Sequence, residues 1–127
     1  MSAGAPILIV EDHPANRTLL SFLLTAHGYE LRSAAHAAEA LEMLETFAPR
    51  LILMDLQLPG MDGLELTRRL KADPRTRDIC IVAVTAYAMK GDEQRVRDAG
   101  CDGYVTKPID TRQLPETIAG YLGAGRT

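Results

Sequence analysis

The chain of 127 residues has only two cysteines, no apolar run longer than about six residues, and no excess of positive charge. Cys80 falls in a strand-like apolar run and Cys101 in a turn, which is no metal-ligand spacing, so both are expected as unpaired thiols in a reducing compartment. The longest apolar stretches, such as residues 79 to 84, fall far short of the roughly 20 residues that span a bilayer as helix, so no membrane insertion is expected. Ahead of Ile7 to Val10 there is no Lys or Arg, and Glu11 and Asp12 end that run at once, unlike a secretory signal; a cytoplasmic location is expected. Lys and Arg number 14 against 17 Asp and Glu, a net charge of −3, which excludes an overall positive field that would draw the chain onto nucleic acid or an anionic membrane. A partner must recognise local surface. With 46% hydrophobic residues, the chain can build a core without disulfide or metal staples. Residues 1–127 read as a single domain, with a core of about 6–122 and a short flexible C-terminal tail.

What the chain has in plenty is alternation. Short apolar runs alternate five times with amphipathic segments, the mark of βα units around a parallel sheet with helices on both faces. The expected strands are Ile7 to Val10, Glu30 to Ser33, Leu51 to Met54, Ile79 to Val84 and Gly103 to Thr106. The first, third and fourth are continuous Val/Ile/Leu-rich runs, as strands buried on both faces require. Helical patterns cover Pro14 to Ala26, His36 to Phe47, Leu64 to Ala72, Lys90 to Ala99 and Thr111 to Leu122. Pro14 suits a first helical position, and Gly28 and Gly100 suit left-handed C-terminal caps. Pro115 and Gly120 weaken the last helix, whose start is expected to be irregular or late.

Parallel strands joined by right-handed crossovers bring their C-terminal ends to one edge, where ligands of such sheets bind. The residues at those ends are Glu11 and Asp12, Asp55, Thr85, and Lys107 with Pro108. Three carboxylates on one edge repel each other and call for a cation. An oxygen-rich, thiolate-free group suits a hard ion such as Mg²⁺, which takes one or two carboxylates together with phosphate oxygens. Lys107 adds a fixed ammonium and Thr85 a hydroxyl. Such an environment can neutralise a phosphoryl group in transfer, and the central Asp55 can act as nucleophile and become an aspartyl phosphate.

These stretches, Ile-Val-Glu-Asp at 9 to 12, Leu-Met-Asp-Leu-Gln-Leu-Pro-Gly-Met-Asp-Gly at 53 to 63, Val-Thr-Ala at 84 to 86 and Tyr-Val-Thr-Lys-Pro-Ile at 104 to 109, follow the order and spacing of response-regulator receiver domains. The chain resembles that CheY-like family of two-component signalling over nearly its whole length. The resemblance implies an α/β fold of the flavodoxin/CheY-like type, a (βα)5 doubly wound parallel five-stranded sheet of order 2-1-3-4-5. It implies Asp55 as phosphoacceptor, with Mg²⁺ (Mn²⁺ can substitute) held by Glu11, Asp12, Asp55 and the Gln57 backbone carbonyl. Thr85 and Lys107 would bind the phosphoryl oxygens, and Pro108 would follow a cis peptide. Thr85 and Tyr104 would form the switch, and Gln57 and Tyr87 would tune the lifetime of the phosphate. The Glu-Asp pair at 11 and 12 departs from the family's usual Asp-Asp and lengthens one arm. The partners implied are a histidine kinase or phosphotransfer protein and an unnamed downstream protein, without direct nucleic-acid contact. The chain is expected to be a phosphoacceptor that assists its own phosphorylation and slow dephosphorylation, not an enzyme in the ordinary sense. The stretch from Tyr87 to Glu93 resembles DivK-type single-domain regulators and also the receivers of hybrid kinases.

Other residues take plainer readings. Asp62, within Pro-Gly-Met-Asp-Gly, reads as turn or cap chemistry, and His13 as an exposed loop histidine beside a site already supplied with oxygen donors. Leu19, Leu20, Phe22, Leu23 and Leu24 spread round more than half of the first helix, which suits packing on two sides or a docking surface for the phosphoryl donor. Residues 90 to 99 have only Met89, Val96 and Ala99 to bury, which suits a helix that shifts easily. A haloacid-dehalogenase-type phosphohydrolase would need a second Asp where Gln57 stands, and flavin binding would need a hydroxyl-rich loop where Glu11, Asp12, His13 and Pro14 stand. A receiver that binds its partner without phosphorylation is the closest rival.

Overall fold

A computed structural model of the chain describes residues 4–58, 60–86 and 90–124. The strands are β1 (Pro6–Val10), β2 (Glu30–Ala34), β3 (Leu51–Asp55), β4 (Cys80–Thr85) and β5 (Gly103–Thr106). The helices are α1 (Pro14–Ala26), α2 (Ala37–Met43), α3 (Gly63–Ala72), α4 (Lys90–Asp98) and α5 (Leu114–Ala124). All five strands pair in parallel in one sheet of order β2-β1-β3-β4-β5, as the resemblance implies.

Strand periodicity divides the core in two. Ile7, Ile9, Leu51, Leu53, Val82 and Val84 face one layer, where Leu20 and Leu24 of α1 and Leu114, Ile118 and Leu122 of α5 cover them. Leu8, Val10, Ile52, Met54, Ile81 and Ala83 face the other, covered by Ala37 and Ala40 of α2, by Leu64, Leu66 and Leu70 of α3, and by Val96 of α4. The strands with continuous apolar sequences, β1, β3 and β4, are the ones buried on both faces, and all five residues of β3 are buried.

The helix ends follow local chemistry. Pro14 opens α1, and Gly28 and Gly100 adopt positive φ, 89° and 105°, as left-handed caps. Helix α2 is shorter than its apolar pattern. His36 is its cap, Nδ1 accepting from the Glu39 N–H, and after Met43 the chain tightens into turns, with Glu45 N–H bonded to Glu42 O and Thr46 N–H to Met43 O. Helix α5 starts late, at Leu114, so Pro115 falls in its first turn, where a missing N–H costs nothing.

Candidate functional site

The ends of β1, β3, β4 and β5 meet at one edge of the sheet. Asp55 is the last residue of β3 and only 1% exposed. Its carboxylate is held from two sides: Oδ1 accepts the Gln57 backbone N–H at 2.9 Å, and Oδ2 lies 3.4 Å from Lys107 Nζ. The backbone around it is equally fixed. Leu56 N–H donates to Val84 O, and Gly63 N–H to Leu56 O. A side chain at Gly63 would drive its Cβ into the Asp55 carbonyl oxygen, so only glycine lets α3 start against the end of β3.

Glu11, 1% exposed, approaches from β1, its Oε1 3.5 Å from Lys107 Nζ. Its Oε2 accepts the His13 backbone N–H at 3.0 Å. Asp12 is half-buried beside it. Glu11, Asp12, His13 and Asp55 each offer one ligand atom, and these atoms lie within 4.8 Å of one another. Two buried carboxylate oxygens there, Glu11 Oε1 and Asp12 Oδ1, have no hydrogen-bond partner. Buried polar atoms are nearly always satisfied, so this donor set fits a hard divalent cation.

Electrostatics single out Asp55. Burial pushes its carboxyl up to about 6; the Gln57 N–H and the Lys107 ammonium oppose the rise, and Glu11 adds to it. Burial would also raise Glu11, but the His13 N–H, a hydrogen bond shared with Asp55 and the Lys107 charge hold its carboxyl below the usual value. Of the two acids, Asp55 takes a proton first and the longer Glu11 stays ionised.

Thr85 ends β4 and is buried; its carbonyl accepts the Lys107 N–H at 2.8 Å, and the Lys107–Pro108 peptide is cis. A cavity of about 160 Å³ beside it is lined by Leu56, Gln57, Asp62, Leu64, Thr85, Arg95 and Val96. Tyr104 lies one strand away, half-buried against the α2/α3/α4 core layer. Tyr87 and Met89 lie outside the described residues. Asp62 is the α3 cap, its Oδ1 accepting the Glu65 N–H at 2.8 Å. Both cysteines are free; burial pushes the Cys80 thiol up to about 11 and raises Cys101 too, which disfavours the thiolate form in both.

Arg17 was not singled out from the sequence. Its guanidinium donates to the Glu11 and Asp12 carbonyls at 2.8 and 3.1 Å and so fixes the acidic loop from α1. Main-chain carbonyls leave no mark in a sequence, and only the position of Arg17, in the first turn of the helix that follows the acids, could have suggested it.

This fold, with its acids and lysine at the strand ends, defines a class, and the chain belongs to the response regulator receiver domain family, whose model matches residues 7–119. The family acts in two-component signalling, and its members are phosphoacceptors more than catalysts. The chain is similar to the polar-differentiation response regulator DivK of Brucella anthropi, 48% identical over 117 residues that cover 92% of this chain and 95% of that protein. Among solved structures it is similar to the receiver domain of a signal transduction histidine kinase from Syntrophus aciditrophicus, at 34% identity and a TM-score of 0.88, covering 97% of this chain and 94% of that one. The receiver domain of the sensor histidine kinase PA1611 from Pseudomonas aeruginosa, solved with a magnesium ion coordinated in its active site cleft, matches at 35% identity and a TM-score of 0.86, covering 95% of this chain and 99% of that one. Among the described residues no helix is long and apolar enough to cross a membrane.

Proposed function

We propose that this receiver domain accepts a phosphoryl group from a phosphohistidine donor onto Asp55 and thereby changes its affinity for a partner protein. One observation carries the reading: a buried carboxylate, pinned by the Gln57 N–H and faced by Lys107, beside two buried acid oxygens that no hydrogen bond satisfies. An Asp55 oxygen attacks phosphorus, the P–O bond forms as the P–N bond breaks, and the electron pair leaves with the donor imidazole. With its carboxyl raised only to about 6, Asp55 is mostly ionised at neutral pH and needs no general base. Its two anchors hold it in line for attack. Lys107 and the Thr85 hydroxyl receive the phosphoryl oxygens, and Arg17 holds the acidic loop in place.

Glu11, Asp12, Asp55 and the Gln57 carbonyl would hold Mg²⁺, or Mn²⁺ in its place. When bound, the ion supplies positive charge to the phosphoryl oxygens; the magnesium in the related Pseudomonas receiver supports this. The donor docks on α1, which follows the acidic loop and leaves Leu19 and Phe22 exposed. Thr85 and Tyr104 pass the change to α4, β5 and α5, and Gln57 and Tyr87 set how readily water reaches the phosphate.

Incubation with acetyl phosphate and Mg²⁺, followed by intact mass, tests the reading. The wild type should gain phosphoryl mass and Asp55→Ala should not; a wild type without added mass removes the phosphoacceptor role.

A further inference from the structure

His13 carries an inference that rests on reading the acidic cluster as a divalent-ion site. Its side chain is 67% exposed, as a loop histidine should be, yet Nδ1 turns in toward the acids, 3.2 Å from Asp12 Oδ1 and 3.4 Å from Glu11 Oε2. Adjacent ligands of an octahedral ion with bonds of about 2.1 Å lie about 3.0 Å apart, so the ring nitrogen stands at the separation of a neighbouring ligand. Glu11 Oε1 and Asp12 Oδ1, which have no hydrogen bond although Lys107 and His13 stand at ion-pair distance, belong to two residues of the same group of four. Oxygen donors alone suffice for Mg²⁺, whereas an imidazole nitrogen favours borderline transition ions such as Ni²⁺, Co²⁺ and Zn²⁺.

We propose that His13 is a selective additional ligand: Mg²⁺ is held by oxygen donors alone, while ions of the Ni²⁺ class are held by Glu11, Asp12, Asp55 and His13 together. Such an ion competes with Mg²⁺ at the phosphorylation site through a side chain that Mg²⁺ does not use. His13 is well placed for the part, because a largely exposed ring can swing onto an ion without disturbing the core.

The test is calorimetric titration of the full chain with NiCl₂ and, separately, MgCl₂, on the wild type, His13→Gln and Asp12→Asn. His13→Gln should weaken Ni²⁺ by about tenfold or more, at least what loss of a merely supporting partner costs, and leave Mg²⁺ within about twofold. Asp12→Asn should weaken both. If Ni²⁺ binding is unchanged in His13→Gln, or falls in step with Mg²⁺, the His13 role is overturned while the divalent site stands. Ni²⁺ binding that survives intact in Asp12→Asn lies elsewhere, at the thiols or other histidines, and also overturns it. If the wild type binds neither ion, the reading of the acidic cluster falls as well.

Discussion

Helices α3 and α4 each follow a strand that ends in the site, yet they are held in opposite ways. Helix α3 buries Gly63, Leu64, Leu66, Thr67 and Leu70, carries the Asp62 cap, and starts directly against the Asp55 carbonyl. At its far end Lys71 Nζ reaches the Ile79 carbonyl at 2.7 Å and the Asp102 carboxylate at 3.0 Å, tying α3 to the entry of β4 and β5. Among the α4 side chains described, residues 93–98, only Val96 is buried; the others, including the Arg97–Glu93 pair, are exposed. An exposed pair of that kind adds little. The contrast separates two tasks. On the proposed reading, one half of the molecule fixes the acid that would react, and the other is held weakly enough to move in response.

The largest effect that should expose this difference comes from truncating each helix's anchor. Leu66→Ala removes a fully buried side chain and should cost about 2–5 kcal/mol in urea unfolding. Val96→Ala removes two carbons, worth about 1.6 kcal/mol before any cavity cost. Equal losses would mean that α4 is anchored as firmly as α3.

Next comes the charge at the rigid end. The folded-state value of Asp55 lies above its ordinary 3.8, at about 6, so ionising it costs stability. The cost is absent below about pH 4, grows as pH rises toward 6 and is complete above, at roughly 1–3 kcal/mol. Asp55→Asn should therefore be more stable than the wild type at pH 7.5 without divalent ions, and the gap should close at pH 4 or when Mg²⁺ is added to the wild type. Thermal melts at the two pH values check this; a gap that widens on acidification would reverse the assignment.

Much of this was legible in the sequence. The three apolar runs had to be strands buried on both sides, Gly28 and Gly100 had to be caps, and Asp62 announced the start of α3. What could not be read depends on contacts between distant pieces of chain. Helix α2 stops at Met43 although Leu44 and Phe47 continue its apolar pattern, because the chain closes into tight turns in which Leu44 and Phe47 pack half-buried and Glu45 and Thr46 stay exposed. The need for glycine at 63 comes from a carbonyl eight residues earlier, and the inward turn of the His13 ring could not be told from a solvated loop. The same holds for Arg17, the source of the smallest predicted effect. Arg17→Ala should weaken Mg²⁺ binding by about tenfold, in the range of lost outer-shell partners, with Arg17→Lys recovering part of it. Unchanged Mg²⁺ titrations would show that the acidic loop holds its shape unaided.

The division of labour itself is tested most directly by amide hydrogen exchange, read by mass spectrometry on the protein before and after phosphorylation with acetyl phosphate in Mg²⁺. Before phosphorylation α4 (Lys90–Asp98) should exchange faster than α3 (Gly63–Ala72); on phosphorylation, protection should change in α4 and β5 and stay constant in β3 and α3. A sample whose intact mass shows the phosphoryl group, but whose α3 changes as much as α4 or whose α4 does not change, would contradict the account.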